Sequence, residues 1–499
     1  MNIRKLFCPG DTPRILLFLF FFVISVIITI ACGYTEKNAT GNVLLLFLLL
    51  LLAHRNTLTS ITTLLFLFCC ALYAPAGMTY GKINNSFIVA LLQTTADEAA
   101  EFTGMIPVYH FLVSAAILVF MVIFWRTHHR GHRNWLALLL FVLCSVNSWP
   151  LRMVKGIVVG TTDTLREMQR YKQLSQHGAD NWKILPGTPL YDTIVIVTGE
   201  SVRRDYMSVY GYPVPTTPWL NTAPGLFIDG YTSAAASTVP SLSRTLIYDY
   251  EQNPDSGNNV VALAAKAGYS TWWISNQGKL GEHDTRISVI ASDAEHIVFL
   301  KKGSFASRKT DDMLLLQETE RALADKSSPK VIFLHMIGSH PNPCDRLNSW
   351  PNYYLEQYPR KIACYLASIS KLDNFLGQLD GILRRHSRHF AMLYFSDHGL
   401  SVSDSANPVH HDGHVQGGYS VPLIITASDI TSHQSVSRKI SARNFAGIFQ
   451  WLTGIRTENI PPFNPLTDED NEPVMVFNGE KNVPADSLKP QPLILPDHR

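Results

Sequence analysis

Long apolar runs fill the first third of the chain and are nearly absent from the rest. Ile15–Cys32 is almost pure Leu, Ile, Val and Phe. Similar stretches follow at Val43–Ala53 with its flanks, Leu58–Ala76, Tyr109–Trp125 and Trp135–Val154. Crossing a bilayer core takes about 20 apolar residues in a helix, so the pattern predicts five membrane spans, the second being the shortest. The first run could also serve as a secretory leader, with Arg4, Lys5 and Arg14 ahead of it and "TIAC" at its end. The four further runs favour a multi-span domain. Lys and Arg in short connections mark the cytoplasmic side. Here they sit in the N-terminal tail, at Arg55, and at Arg126, Arg130 and Arg133 of "RTHHRGHRN". These regions alternate to one side, which leaves the large C-terminal part on the other.

Beyond Val154 the apolar residues break into short runs. The expected organisation is a transmembrane domain over 1–155, with an outer segment near 77–108, then a polar linker over 156–189 and a soluble domain over 190–499. Strand-like runs at Thr193–Val197, Ser270–Ser275, Val331–Met336, Phe390–Phe395 and Val421–Thr426 alternate with helical patterns. Those patterns are Met313–Ala324 and Ile362–Leu383, the latter apolar at 362, 366, 369, 372, 376, 379 and 383. Such alternation predicts an α/β domain with a mainly parallel central sheet and helices on both faces. Binding sites in these sheets gather at the carboxyl ends of the strands.

Composition adds two points. The net charge of +2 over 499 residues gives no reason to expect a nucleic-acid partner. Cys8, Cys32, Cys69, Cys70 and Cys144 lie in or beside the apolar runs and read as filler. Only Cys344 and Cys364 occur in the soluble part, and an oxidising compartment would join them. On the chain-entropy argument, closing that loop stabilises by about 3 kcal/mol.

The candidate chemistry sits where strands end. "YDTIVIVTGES" brings Glu200 and Ser201 out of a buried strand, and "FAMLYFSDHGL" does the same for Asp397 and His398, with Gly399 allowing a sharp turn. Carboxylate oxygen and imidazole nitrogen suit zinc, and less well manganese. Two more segments, "VIFLHMIGSHPNPC" and "NPVHHDGHV", bring His335, His340, His410, His411, Asp412 and His414 to strand ends. A hydroxyl held by a divalent ion becomes a nucleophile at neutral pH. The candidates are Ser201 and, in "TSAAASTVPSLSRTL", Ser237 or Thr238 ahead of Pro240 in a first helical turn. A helix N-terminus also favours an incoming phosphate. Simple helix capping is the alternative role for Ser237 and Thr238.

Together, five N-terminal spans, "GES…YGYPVPTTPWL", "STVPSL", "LHMIGSHP" and "FSDHG" resemble the bacterial inner-membrane phosphoethanolamine transferases, and the likeness covers nearly the whole chain. "STWWISNQG" and "CDRLN…IACYL" are most similar to the branch that modifies periplasmic glucans, or to an uncharacterised paralogue of it. The resemblance implies an alkaline-phosphatase/sulfatase-like domain in the periplasm. It makes Thr238 the nucleophile, with Glu200, Thr238, Asp397 and His398 around one tightly bound zinc ion and room for a second. It puts His340 and His411 on the phosphoryl group, with His410 the alternative to His411, and Thr94 and Glu98 of "QTTADEAAEF" on the donor's head group. The implied donor is phosphatidylethanolamine, and the implied acceptor a periplasmic glucan, lipid A or lipopolysaccharide sugar. One departure is visible: relatives that bracket the Thr with cysteines have no counterpart here, where the segment reads "SAAASTVPS".

Three rivals remain at this level. A sulfatase nucleophile is Cys or Ser followed by x-Pro-x-Arg, whereas Arg244 comes two places late for Thr238. A phosphoglycerol transferase shares the spans and a Thr nucleophile. A non-catalytic glycan-binding module could keep the fold without the metal.

Overall fold

The computed structural model describes residues 12–35, 39–83, 103, 106–127, 135–146, 148–174, 180–254, 257–278, 286–301, 310–405, 407–470 and 472–496. The chain divides into two compact units, Met1–Glu167 and Met168–Arg499.

The first unit is helical: α1 (Thr12–Ala31), α2 (Ala39–Ala53), α3 (Thr57–Tyr80), α4 (His110–Thr127), α5 (Trp135–Ser145) and α6 (Trp149–Leu174), the last running across the unit boundary. Phe21, Phe120 and Phe124 pack together at its centre with Leu50, Leu67 and Trp149. Among the described residues, two helices are long and apolar enough to cross a membrane, Thr57–Thr79 and His110–Thr127. A bent pair, α5 and α6, makes a third if read as one span. The helix α2 has 15 residues, about 22 Å at 1.5 Å per residue, short of a 30 Å core. Length and apolarity alone therefore do not reach the expected five.

The expected fifth span, Trp135–Val154, is not one rod. Its two helices meet at 64°. Ser148 accepts a hydrogen bond from the Leu151 N–H and starts a new helix, in which Pro150 occupies a position that needs no N–H donor. That helix continues past Val154 through much of the expected linker.

The second unit is built on eight strands: β1 (Thr193–Gly199), β2 (Gly225–Thr232), β3 (Ser270–Gly278), β4 (His296–Lys301), β5 (Lys330–His335), β6 (Phe390–Ser396), β7 (Leu423–Ala427) and β8 (His433–Ser441). They lie in the order β8-β2-β7-β6-β1-β5-β3-β4. All pairings are parallel except those of β7, which runs against β2 and β6. The sheet is thus mostly parallel, as the alternation implied. Every residue of β1 is buried, so its side chains feed two cores. Ile194 and Ile196 face helices α7 (Thr238–Leu246), α8 (Val260–Lys266), α9 (Arg286–Ala291) and α12 (Phe445–Thr453). Val195 and Val197 face α10 (Leu314–Ala324) and α11 (Arg360–His386). A two-sided core explains why the central strands read as unbroken apolar runs.

Candidate active site

Sheet register assembles the site. Residue pairs β1 to β6 run up to Gly199 opposite Ser396, so the next residues, Glu200 and Asp397, leave neighbouring strands side by side. The Asp397 N–H donates to the Gly199 carbonyl at 3.1 Å and continues the ladder by one step. His398 follows, fully buried, with its Nδ1 2.8 Å from the Gly399 carbonyl. That contact places the neutral ring's proton on Nδ1 and leaves the Nε2 lone pair facing the carboxylates. His398 Nε2 lies 3.2 Å from Glu200 Oε1 and 3.4 Å from Asp397 Oδ2.

Thr238 comes from the opposite side, as the first residue of α7. Its Oγ1 is 2.9 Å from Glu200 Oε2 and 3.3 Å from His398 Nε2. Ser237 occupies the cap position but makes no side-chain capping bond, so neither hydroxyl is spent on capping. The helix is tied to the strand end, because Ser233 and Ser241 both donate to the Asp397 carbonyl at 2.5 Å.

Burial would raise the Glu200 carboxyl, but His398 beside it outweighs this and holds it well below the usual carboxylate range. Asp397, pushed the same way by burial and then by the Glu200 charge, rises to about 8. Burial alone would lower His398, yet Asp397 and Glu200 carry it up to about 9. Without a cation, then, protons on His398 and Asp397 balance this site.

The residues fit a divalent ion. Glu200, Asp397 and His398 each offer a ligand atom, all within 4.8 Å of one another and all from buried residues. Asp397 Oδ2 is buried with no hydrogen-bond donor, the state of an oxygen reserved for a cation. Carboxylate and imidazole ligands suit zinc.

The histidines sort cleanly. The His411 ring lies 4.8 Å from His398 and 6.1 Å from His340. Burial and then the charge of His398 push it down to about 3, which keeps it neutral. His340 acts electrostatically on Glu200. His410 sits on a short strand paired with Ser401, and His414 is exposed. His335 is buried beside Trp273, and burial pushes it down to about 4. Thr94 and Glu98 lie outside the described residues. Cys344 and Cys364 are joined by a disulfide. Arg244 is directed at Glu251, 2.5 Å away, and over the rings of Tyr250 and Phe477, which leaves it no part beside Thr238.

Three residues outside the candidate set support this frame. Gln277 Nε2 lies 3.5 Å from Glu200 Oε2 and 2.9 Å from the Met336 carbonyl. Asp312, buried, accepts from the Ile337 and Gly338 N–H groups and so fixes the turn that leads to His340. Arg203, 1 % exposed, pairs with Asp205 at 2.5 Å and donates to Gln491 Oε1 at 2.6 Å. Only their three-dimensional neighbours give them meaning.

The sulfatase family model matches residues 192–455. Phosphoethanolamine transferase OpgE of Escherichia coli is 31% identical over 493 residues, covering 92% of each chain. The chain belongs to the phosphoethanolamine transferases of the sulfatase family. A putative phosphoethanolamine transferase of Haemophilus influenzae is 36% identical over 348 residues, 66% of this chain and 71% of that one. Among solved structures, the integral membrane lipooligosaccharide phosphoethanolamine transferase EptA of Neisseria meningitidis matches 88% of this chain and 95% of its own. Its TM-score is 0.58 at 16% identity. The C-terminal periplasmic domain of Escherichia coli EptC, crystallised with zinc, covers 62% of this chain and 96% of its own, with a TM-score of 0.53 at 21% identity. These two carry the fold. The family membership supplies the enzyme class.

Proposed function

We propose that this transferase moves phosphoethanolamine from phosphatidylethanolamine to an envelope glycan, a periplasmic glucan or a lipopolysaccharide sugar, through a covalent ester on Thr238. The observation that carries the reading is the Thr238 hydroxyl, within hydrogen-bond reach of both Glu200 and His398 inside a cluster of metal-ligand atoms. Glu200, Asp397, His398 and Thr238 would hold the zinc ion, which supplies charge to lower the hydroxyl's pKa and to balance developing negative charge. Thr238 Oγ attacks the donor's phosphorus and the bond to diacylglycerol breaks. The hydroxyl proton ends on the departing alcohol. An acceptor hydroxyl then attacks the same phosphorus, and Thr238 leaves and regains a proton. His340 and His411 flank the phosphoryl oxygens, His411 as a neutral donor. Positioning and charge stabilisation are most of what phosphoryl transfer asks of a protein.

In this reading the apolar helices form a five-span inner-membrane domain and the sulfatase-like domain works in the periplasm, where the lipid donor is at hand. Thr94 and Glu98 are the candidates for gripping the ethanolamine group.

Intact-mass measurement of full-length protein incubated with phosphatidylethanolamine tests the proposal. We expect an adduct with the mass of phosphoethanolamine on Thr238, lost in Thr238→Ala. Undiminished transfer by that variant refutes the nucleophile. An adduct with the mass of glycerol phosphate refutes the donor.

A further inference from the structure

Ser201 first reads as a spare nucleophile; its contacts give it a different part. It is fully buried and sits at φ 64°, in the left-handed region that a residue with a side chain seldom occupies. That backbone directs its N–H at Asp397 Oδ1, 3.1 Å away. Its Oγ donates to Glu200 Oε1 at 2.6 Å. The conformation is itself held, since the Ser201 carbonyl accepts from the Tyr365 hydroxyl at 2.9 Å and that hydroxyl accepts from the Arg203 N–H at 2.8 Å.

One residue thus holds one oxygen of each carboxylate. Asp397 Oδ1 is taken by the Ser201 and His398 N–H groups, leaving Oδ2 with no donor. Glu200 Oε1 accepts from Ser201 and lies 3.2 Å from His398 Nε2, while Oε2 faces the Thr238 hydroxyl at 2.9 Å, with the Gln277 amide 3.5 Å away. We propose that Ser201 is the positioning residue of the metal site, fixing through its left-handed backbone and its hydroxyl which oxygen of Glu200 and which of Asp397 face the ion. This rests on the metal reading above and goes beyond it, because the residue neither binds the ion nor reacts. Groups that orient metal ligands typically change affinity 10–100-fold when removed.

The test uses full-length protein in detergent, with zinc affinity measured by competition against a chromophoric chelator. Ser201→Ala removes the hydroxyl. Ser201→Gly removes it too while relaxing the left-handed backbone, so it folds even where the alanine variant does not. Both should bind zinc 10–100-fold more weakly, with the metal-free melting temperature of Ser201→Gly at or above that of the wild type. The visible ligand-field band of the cobalt(II)-loaded variant should lose intensity as Glu200 rotates, a change that a purely structural role would not produce. Zinc affinity within threefold of wild type together with an unchanged cobalt band overturns the proposal. So does a phosphoethanolamine adduct on Ser201 itself. A wild-type protein that takes up no stoichiometric zinc instead brings down the metal reading, and this inference with it.

Discussion

Gly399 offers a sharp check on the geometry. A glycine after "DH" suggests a turn needing unusual backbone angles, yet Gly399 is not among the residues of positive φ. Its smallness serves a close approach instead. A Cβ there would lie 2.1 Å from the Gly417 carbonyl oxygen and 2.9 Å from Arg203 Cγ. The carbonyl belongs to the loop that carries His411, and the Gly399 N–H donates to Gly418 in that loop at 2.9 Å. In Gly399→Ala the two segments must separate by about 1 Å to restore ordinary contact. Overpacking of this kind costs about 1–3 kcal/mol, and a weakened hydrogen bond adds about 1 kcal/mol. At about 2–4 °C per kcal/mol for a domain of this size, the melting temperature should drop by about 4–16 °C. Zinc affinity should fall as well, because His398 bonds to the Gly399 carbonyl. The control is Gly381→Ala, inside α11, where the nearest atom to an added Cβ is the flexible Arg385 Nη1 at 3.6 Å. That change should stabilise by about 0.5–1 kcal/mol. Wild-type melting and zinc binding in Gly399→Ala would show that the two loops do not meet as described.

Two further outcomes follow from the same geometry. With His398 raised to about 9 and Asp397 to about 8, zinc must displace their protons. Affinity should therefore climb by up to about tenfold per displaced proton for each pH unit, from pH 6 until both values are passed, and level off above pH 9; a zinc titration that is flat between pH 6 and 8 contradicts the assignment. The Cys344–Cys364 bridge closes a sequence separation of 20, so the Cys344→Ser, Cys364→Ser double variant should lose about 3 kcal/mol, read as a lower melting temperature that reductant no longer shifts, whereas an unchanged melt would mean that the segment is held without it.

The sequence carried the centre of the fold better than its edges, and the reason is burial. β1, β5 and β6 have apolar neighbours on both faces, so they read as continuous runs ending at chemistry-bearing residues. β8, "HQSVSRKIS", is an edge strand with mostly exposed side chains and has no such signature. β2 and β4 lack such a signature too: β2 opens on Gly225 and is broken by Asp229 and Gly230, and β4 is bounded by His296 and Lys301. Glu200, Asp397 and His398 were legible as candidates because they follow strand ends, but their adjacency was not. Glu200 and Asp397 are neighbours only because β1 pairs with β6 across 197 positions of sequence. Ser201 drew notice as a hydroxyl, while its work lies in a backbone angle that sequence does not display.

How firmly each part of the site is held follows from what ties it down. Glu200 and Asp397 extend a backbone ladder between two central strands, so their placement depends least on anything else. Thr238 is one step removed, tied to that ladder by the Ser233 and Ser241 hydroxyls. The His411 loop is further out. It is pinned to Lys489, whose carbonyl accepts from the Gln416 N–H at 2.9 Å and whose N–H donates to the His414 carbonyl at 3.2 Å. There Gln491 also joins Arg203 to the Val402 N–H and the Ser401 hydroxyl. Damage to that segment should therefore displace His411 well before it displaces Glu200 or Asp397. Glu200 and Asp397 are held by the sheet, whereas the loop that carries His411 depends on its contacts with Lys489.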